Sequence, residues 1–292
     1  MSLTILDIKK TVLIALASDD HLMETLVLKG GNAIDLLQLQ TQGRLSRASY
    51  DFDFSMENDF DEDLGEVSTR IERTLTRTFE ENGLIVFDYK FVQRPVVISE
   101  AVKDFWGGYN VEFKLTTVTN YLAARGNMDK LRREALAVLP SGSPKIELEI
   151  SKFEYIADKM ETQVDGYKIF VYSAEMIVFE KVRAICQQLP SYAAIVPSHS
   201  ERPRARDFYD IHLIMSQRHI DPGTIWNKQL LTHIFLAKKV PLGFIKEIGG
   251  HLDGHRRDWP NVVATLSAKD GVQDFDFYAR FVVRQFQPLT FP

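Results

Sequence analysis

Two aspartates, Asp51 and Asp53, alternate with phenylalanines in the run YDFDFS. On a strand, residues i and i+2 share a face about 6.6 Å apart, so their carboxylates can converge on one hard cation. A divalent metal is the chemistry this spacing suggests, although a lone Asp-x-Asp is equally a solvated edge strand. Glu147 and Glu149 alternate in the same way in KIELEIS, and either can supply a third carboxylate. Three acids on neighbouring strands suit two metal ions about 4 Å apart, one activating a hydroxyl and one holding a triphosphate. Without metal such a group is costly, because like charges repel.

Other residues fit a phosphate substrate. Gly30 and Gly31 fall where a short strand turns into a helix, a place where backbone without side chains can approach a phosphate and helix N–H groups point at it. Lys181 can act as a point charge for a β- or γ-phosphate. Asp207 and Asp210, three residues apart, share a helical face and can orient a lysine or arginine. Each has a plainer reading: a turn, a surface lysine, a structural ion-pair network.

The elements that must carry these residues follow from periodicity. Residues 5–18 have helical spacing, Leu26–Leu28 is a short strand, and a helix resumes after the glycine pair with Ala33, Leu36, Leu37 and Gln40 on one face. Residues 44–55 end as a half-buried strand, and an acidic segment, ENDFDEDLGE, follows as a solvated loop. Helix is predicted over 66–82 with Gly83 closing it, strands over LIVFDYKFV and YNVEFKLTTV, and a short basic helix over 129–138. PSGSP is a turn and KIELEIS a strand. SAEMIVFEKVRAICQQL, capped by Ser173, and RARDFYDIHLIMSQ are helices, and the remainder reads as helix with loops. The texture changes between 160 and 170, giving an α/β (α+β) domain over 1–165 and a helical domain over 166–292.

Composition bounds the rest. The 292 residues, 45% hydrophobic and 26% charged, suffice for one or two domains with real cores. No apolar run reaches membrane-span length, and the N-terminus lacks a secretory pattern. One cysteine, Cys186, excludes an intrachain disulfide and a thiolate zinc cage, consistent with a reducing cytoplasm and no membrane partner. A net charge of −5 argues against nonspecific coating of nucleic acid but permits a local basic cleft. Arg125, Lys130, Arg132 and Arg133, with Arg202, Arg204 and Arg206, are the places to look for phosphate contacts.

Taken in order, LKGGNAIDLL, RASYDFDFS, KIELEIS, SAEMIVFEKVRA and RARDFYDI resemble the AbiEii/AbiGii nucleotidyltransferases, the toxin component of type IV toxin-antitoxin and phage-abortive systems. The resemblance covers roughly residues 26–214; residues 215–292 add nothing recognisable. It implies a nucleotidyltransferase-fold mixed sheet of the polymerase β type with flanking helices, then a mainly helical C-terminal domain that completes the nucleotide site. By the same resemblance Gly30 and Gly31 match the turn at the triphosphate, Arg47 and Ser49 the residues before the first aspartate, and Asp51 and Asp53 the metal ligands. Glu149 matches the third acid, since Ile150 and Ser151 follow it, with Glu147 as the alternate. Lys181 matches the nucleotide-binding lysine, and Asp207 with Asp210 the paired aspartates. The implied reaction moves NMP from an NTP to an acceptor hydroxyl with two Mg²⁺ ions, or Mn²⁺. RNA, such as a tRNA 3′ end, is the implied acceptor and a separately encoded antitoxin the counterpart. The glycine pair departs from the glycine-serine of many nucleotidyltransferases, removing one hydroxyl contact.

Alternatives remain at this level: a small-molecule or protein acceptor, an Asp-x-Asp glycosyltransferase, or an idle binding module. Two decoys are visible. Asp274 to Phe277 repeats Asp-Phe-Asp-Phe, but helical sequence follows it, so Asp274 or Asp276 suits a helix N-terminus. His251 and His255 have chelating spacing only if helical, and Gly254 between them favours a loop.

Overall fold

The computed structural model describes residues 4–39, 52–137, 142–266 and 271–291. In chain order its elements are α1 (Ile5–Ala17), α2 (Asp20–Thr25), β1 (Val27–Lys29), α3 (Gly30–Leu39), β2 (Phe52–Ser55), α4 (Leu64–Glu81), β3 (Leu84–Arg94) and β4 (Gly108–Thr117). There follow α5 (Val118–Ala124), α6 (Met128–Arg133), β5 (Lys145–Ser151), β6 (Met160–Val164), β7 (Tyr167–Val171), α7 (Ala174–Cys186), α8 (Ala205–Arg218), α9 (Ile225–Ala237), α10 (Asp253–Val263) and α11 (Phe275–Phe286). Two 3-10 turns, Pro190–Ala194 and Leu242–Gly250, link helices in the last part. Among the described residues, contacts gather the chain into two units. The first lies within Met1–Ala33, Tyr50–Ile98 and Gly107–Val171, the second within Ile34–Ser49, Ser99–Trp106 and Tyr172–Pro292.

The first unit is built on a mixed α/β sheet of seven strands in the order β3-β4-β5-β2-β1-β7-β6. β1 pairs antiparallel with β2 and parallel with β7, while β2 pairs parallel with β5. Alternation decides the faces. Phe52 and Phe54 of β2 and Ile146, Leu148 and Ile150 of β5 are buried, so the intervening Asp53, Glu147 and Glu149 point to the other side. The apolar side is extended by Phe113 of β4, whose ring tilts onto Phe79 of α4. α4 is strongly amphipathic, burying Val67, Ile71, Leu75 and Phe79 and packing on α1 and β3. α1 starts from a capping box between Thr4 and Asp7 and buries Ile8, Val12 and Leu16.

Four elements were not foreseen. α2 is a six-residue helix begun by Asp19, whose side chain accepts from the Leu22 amide at 3.1 Å. α5 follows β4 without a break, Thr117 capping it. The β6–β7 hairpin turns on Asp165 and Gly166, both with positive φ (49° and 86°), the conformation a two-residue hairpin loop requires. Its short, half-exposed strands lack the strong period-2 pattern that marks β5.

The second unit is helical. α7 is buried almost throughout, from Met176 to Cys186, as expected of a helix with neighbours on several sides; α8, α9 and the turn Leu242–Gly250 surround it. Ser173 caps it by accepting from the Met176 amide. No helix among the described residues is long and apolar enough to cross a membrane.

Candidate active site

Strand register assembles a polar row on the open face of the sheet. Asp53 of β2 lies opposite Glu149 of β5 and, on its other side, opposite Lys29 of β1; Glu149 in turn faces Asn110 of β4. Adjacent strands are about 4.8 Å apart, so neighbouring side chains in this row are within reach of one small ion or phosphate. Glu149 is exposed and Asp53 partly buried. Asn110 is buried, donating to Glu112 at 3.0 Å, while its Oδ1 has no hydrogen-bond partner among the described residues.

The register also separates the two glutamates of β5. Glu147 lies opposite Glu112, and Lys145 ion-pairs with both. Glu149 alone of the pair shares the row with Asp53.

Gly30 closes the row from the helix side. It adopts φ +65°, and a Cβ placed there would sit 2.5 Å from Asp53 Oδ2. Both facts require glycine: an L side chain is disfavoured at that φ, and any side chain would drive the carboxylate away. The α3 N-terminus, whose first amides have no acceptor within the helix, therefore begins against the Asp53 carboxylate. Gly31, in the same turn, is also partly exposed.

Lys29 and Asn110 are members of the row that sequence reasoning passed over. Lys29 donates to Ser151 Oγ at 3.0 Å and lies 3.7 Å from Glu154 Oε1, with both charged side chains largely buried. A cation held beside two carboxylates offsets part of their repulsion. The signal for Lys29 was its place directly before Gly30; that for Asn110 was the alternation in YNVEF. Both resemble ordinary strand residues until register aligns them. Arg47, Ser49 and Asp51 lie outside the described residues. Among the described residues there is no cluster of three or more His, Cys, Asp or Glu side chains fit to hold a metal.

The second unit brings Lys181, Asp207 and Asp210 together. Lys181 Nζ lies 2.7 Å from Asp207 Oδ1 and 2.9 Å from Asp210 Oδ2, all three side chains nearly buried. Burial alone would lower the lysine pKa, but the two carboxylates outweigh it and hold the ammonium charged well above the ordinary lysine range. The aspartates thus orient a lysine, as their i, i+3 spacing allows; Arg204 adds a 3.6 Å contact to Asp207. With one cation against two anions, this cluster is anionic before Arg204 is considered.

The decoys resolve into structure. Asp274 caps α11, accepting from the Phe277 amide at 2.7 Å, and Asp276 pairs with Arg256. His251 lies before α10, whereas His255 is inside it, buried, and accepts from the Arg204 amide at 2.9 Å. Burial pushes the His255 pKa down to about 4. In the acidic segment, Asp59 is not merely solvated: it pairs with Lys152 and accepts from the Tyr109 hydroxyl. Among the expected phosphate contacts, Arg132 is instead engaged by Asp88 at 2.8 Å.

Comparison with known proteins places the chain in a family. JHP933 from Helicobacter pylori is 18% identical with a TM-score of 0.47, covering 97% of this chain and 88% of that one. Another H. pylori structure, provisionally described as a nucleotidyltransferase, is 16% identical with a TM-score of 0.46, covering 97% and 92%. An antigenic nucleotidyltransferase-like protein from Paracoccidioides brasiliensis is 16% identical with a TM-score of 0.37, covering 79% and 92%. No curated protein matches the chain. The profile of the family described as nucleotidyl transferase AbiEii toxin, Type IV TA system, matches residues 11–280. Nearly the whole length is thereby accounted for: the chain belongs to the AbiEii nucleotidyltransferase toxin family of type IV toxin-antitoxin systems and is a nucleotidyltransferase.

Proposed function

We propose that the enzyme transfers a nucleoside monophosphate from an NTP to an acceptor hydroxyl on RNA, a tRNA 3′ end included, as a cytoplasmic toxin held in check by a cognate antitoxin. The single observation that carries the reading is the row in which Asp53 lies opposite Glu149, with the glycine-bounded start of α3 against it. Oxygen donors of this kind fit Mg²⁺ or Mn²⁺, and Asn110 Oδ1, without a hydrogen-bond partner among the described residues, adds a neutral oxygen in the same row. Asp51, Asp53 and Glu149 would hold the ions, with Glu147 displaced from that role by Lys145. When bound, the metal would neutralise charge on the triphosphate and acidify the acceptor hydroxyl.

The chain's own residues then divide the work. Gly30 and Gly31 offer backbone N–H groups to phosphate oxygens, and Arg47 and Ser49 contribute from the segment leading to Asp51. Glu149 takes the acceptor proton as the acceptor oxygen bonds to the α-phosphorus. The bond from that phosphorus to the bridging oxygen breaks, and pyrophosphate leaves. Lys29 stays beside Asp53 as a fixed counter-charge. Catalysis on this reading is positioning and charge neutralisation. We assign Lys181 the family's nucleotide-binding role, with Asp207 and Asp210 holding its ammonium in place. The sheet-bearing unit is the catalytic one on this reading, and the helical unit supplies nucleotide contacts.

The test is transfer from α-labelled and, separately, γ-labelled NTPs of each base to total bacterial RNA with Mg²⁺, using wild type and the Asp51→Asn and Glu149→Gln variants. Label from the α position only, and only with wild type, is the expected result. Label from γ would mean kinase chemistry, and no labelled RNA would remove RNA as the acceptor.

A further inference from the structure

The helical unit carries a second surface with unassigned chemistry. On α11, Phe277, Arg280, Phe281 and Arg284 follow one another at i, i+3, i+4 and i+7, so they form a single stripe along one face. They line a half-open, mostly apolar cavity of about 570 Å³, bordered also by Gly249, Leu252 and Val283. That volume lies within the roughly 300–1,000 Å³ of ordinary ligand sites. Arg280 and Arg284 are exposed and make no hydrogen bond or ion pair among the described residues, unlike Arg256 nearby, which is held by Asp253 and Asp276. Among the described residues, no carboxylate lines the cavity.

The aromatic members are fixed rather than loose. His212 of α8 packs edge-on against Phe277 and Phe281, with ring centroids 5.1 and 4.8 Å apart, and Tyr278 braces Phe277 from the helix itself. Phe277 nevertheless leaves 38% of its surface exposed. Rings already held in place lose little freedom when something stacks on them.

We propose that this stripe binds single-stranded nucleic acid, the two guanidinium groups taking backbone phosphates and Phe277 with Phe281 taking a base. Alternating aromatic and basic side chains are what a sequence-tolerant single-strand site requires: stacking for the bases and cations for the backbone. The absence of acid from the lining favours a polyanion over a protein of mixed charge. This inference rests on RNA being the acceptor and gives the otherwise unassigned C-terminal region a role in holding it.

The experiment is equilibrium binding of a fluorescein-labelled, mixed-sequence 12-nucleotide single-stranded RNA to the full chain, without NTP, over a range of salt. Wild type is compared with Arg280→Ala/Arg284→Ala and with Phe277→Ala, all checked for unchanged thermal midpoints. Losing two phosphate contacts should reduce the slope of log K against log salt by about 1.4, at about 0.7 per contact, and weaken binding at 0.1 M salt at least tenfold. Phe277→Ala should weaken binding at least about fivefold with the slope unchanged. Wild-type affinity and slope in the double arginine variant would overturn the proposal, whether RNA binds elsewhere or the stripe serves a protein partner. RNA binding through the stripe without label transfer would overturn RNA as the acceptor while leaving the stripe a single-strand binding surface. Label transfer with unaltered RNA binding in the arginine variant would overturn this inference alone.

Discussion

Two charged clusters in the molecule are built on opposite terms. The row on the sheet places Asp53 and Glu149 side by side, with Glu149 in solvent and a backbone cradle left bare by Gly30. The cluster in the helical unit encloses Lys181 between Asp207 and Asp210, its ammonium satisfied by two short contacts. The first keeps the Glu149 carboxylate in solvent. The second is already complete, and its charges are costly to separate because they are buried. The lesson is that the same residue types can leave charge open to solvent or close it off by pairing, and that exposure and compensation distinguish the two.

Glu149→Gln tests the contrast most severely. On the proposed mechanism it should lower label transfer at least about 1,000-fold, on the order of 4 kcal/mol, while the unfolding free energy from urea melts changes by less than about 0.5 kcal/mol because the side chain is exposed. A folded variant with full activity would end the parallel between this row and a reaction centre. Lys181→Met should do the reverse to the fold, destabilising the chain by about 3–5 kcal/mol as two buried carboxylates lose their cation. Adding Asp207→Asn and Asp210→Asn should restore most of that loss in chemical denaturation. Its absence would show that Lys181 stabilises by something other than charge.

Smaller effects sharpen the comparison. Lys181 has a raised pKa, so its contribution to stability is fully present below about pH 10.5 and is lost as pH rises through its folded value. His255 is the opposite: burial lowers its pKa to about 4, so folding favours the neutral ring. Stability should therefore fall by on the order of 2–3 kcal/mol as pH drops from about 6.5 to 4. His255→Asn, which keeps an acceptor for the Arg204 amide, should flatten that acid limb in pH-dependent urea melts. Gly30→Ala should cost about 1–2 kcal/mol from backbone strain alone. It should also reduce label transfer, since the new methyl group must displace the Asp53 carboxylate. Unchanged turnover in that variant would detach the glycine cradle from the chemistry.

Much of this was legible in the sequence where a residue's neighbours along the chain decide its place. Ser173 as a cap, the alternation of KIELEIS and the i, i+3 pairing of Asp207 with Asp210 are local facts, and all reappear in the structure. The family resemblance read from five short motifs agrees with the match over residues 11–280. What stayed hidden depends on register. Whether Glu147 or Glu149 stands beside Asp53 is decided by how β5 slides against β2, and a shift of two residues would exchange them. Lys29 and Asn110 entered the row for the same reason. The β6–β7 hairpin was missed although Asp165-Gly166 announced it, because its strands are short and half exposed. Lys181 reads as a surface point charge in sequence, and only burial between two helices turns it into the centre of a compensated cluster.

The order of strands also has a consequence for how the toxin comes into being. β2, which carries Asp53, is flanked by β1 from the start of the chain and by β5 from far downstream, and β1 needs β7, later still, as its other neighbour. Contacts so distant along the chain are slow to form and cannot form at all until both partners have been synthesised. A nascent chain that has not yet emerged through Ser151 therefore lacks the strand that sets Glu149 beside Asp53, and one that has not emerged through Val171 still lacks the outer neighbour of β1.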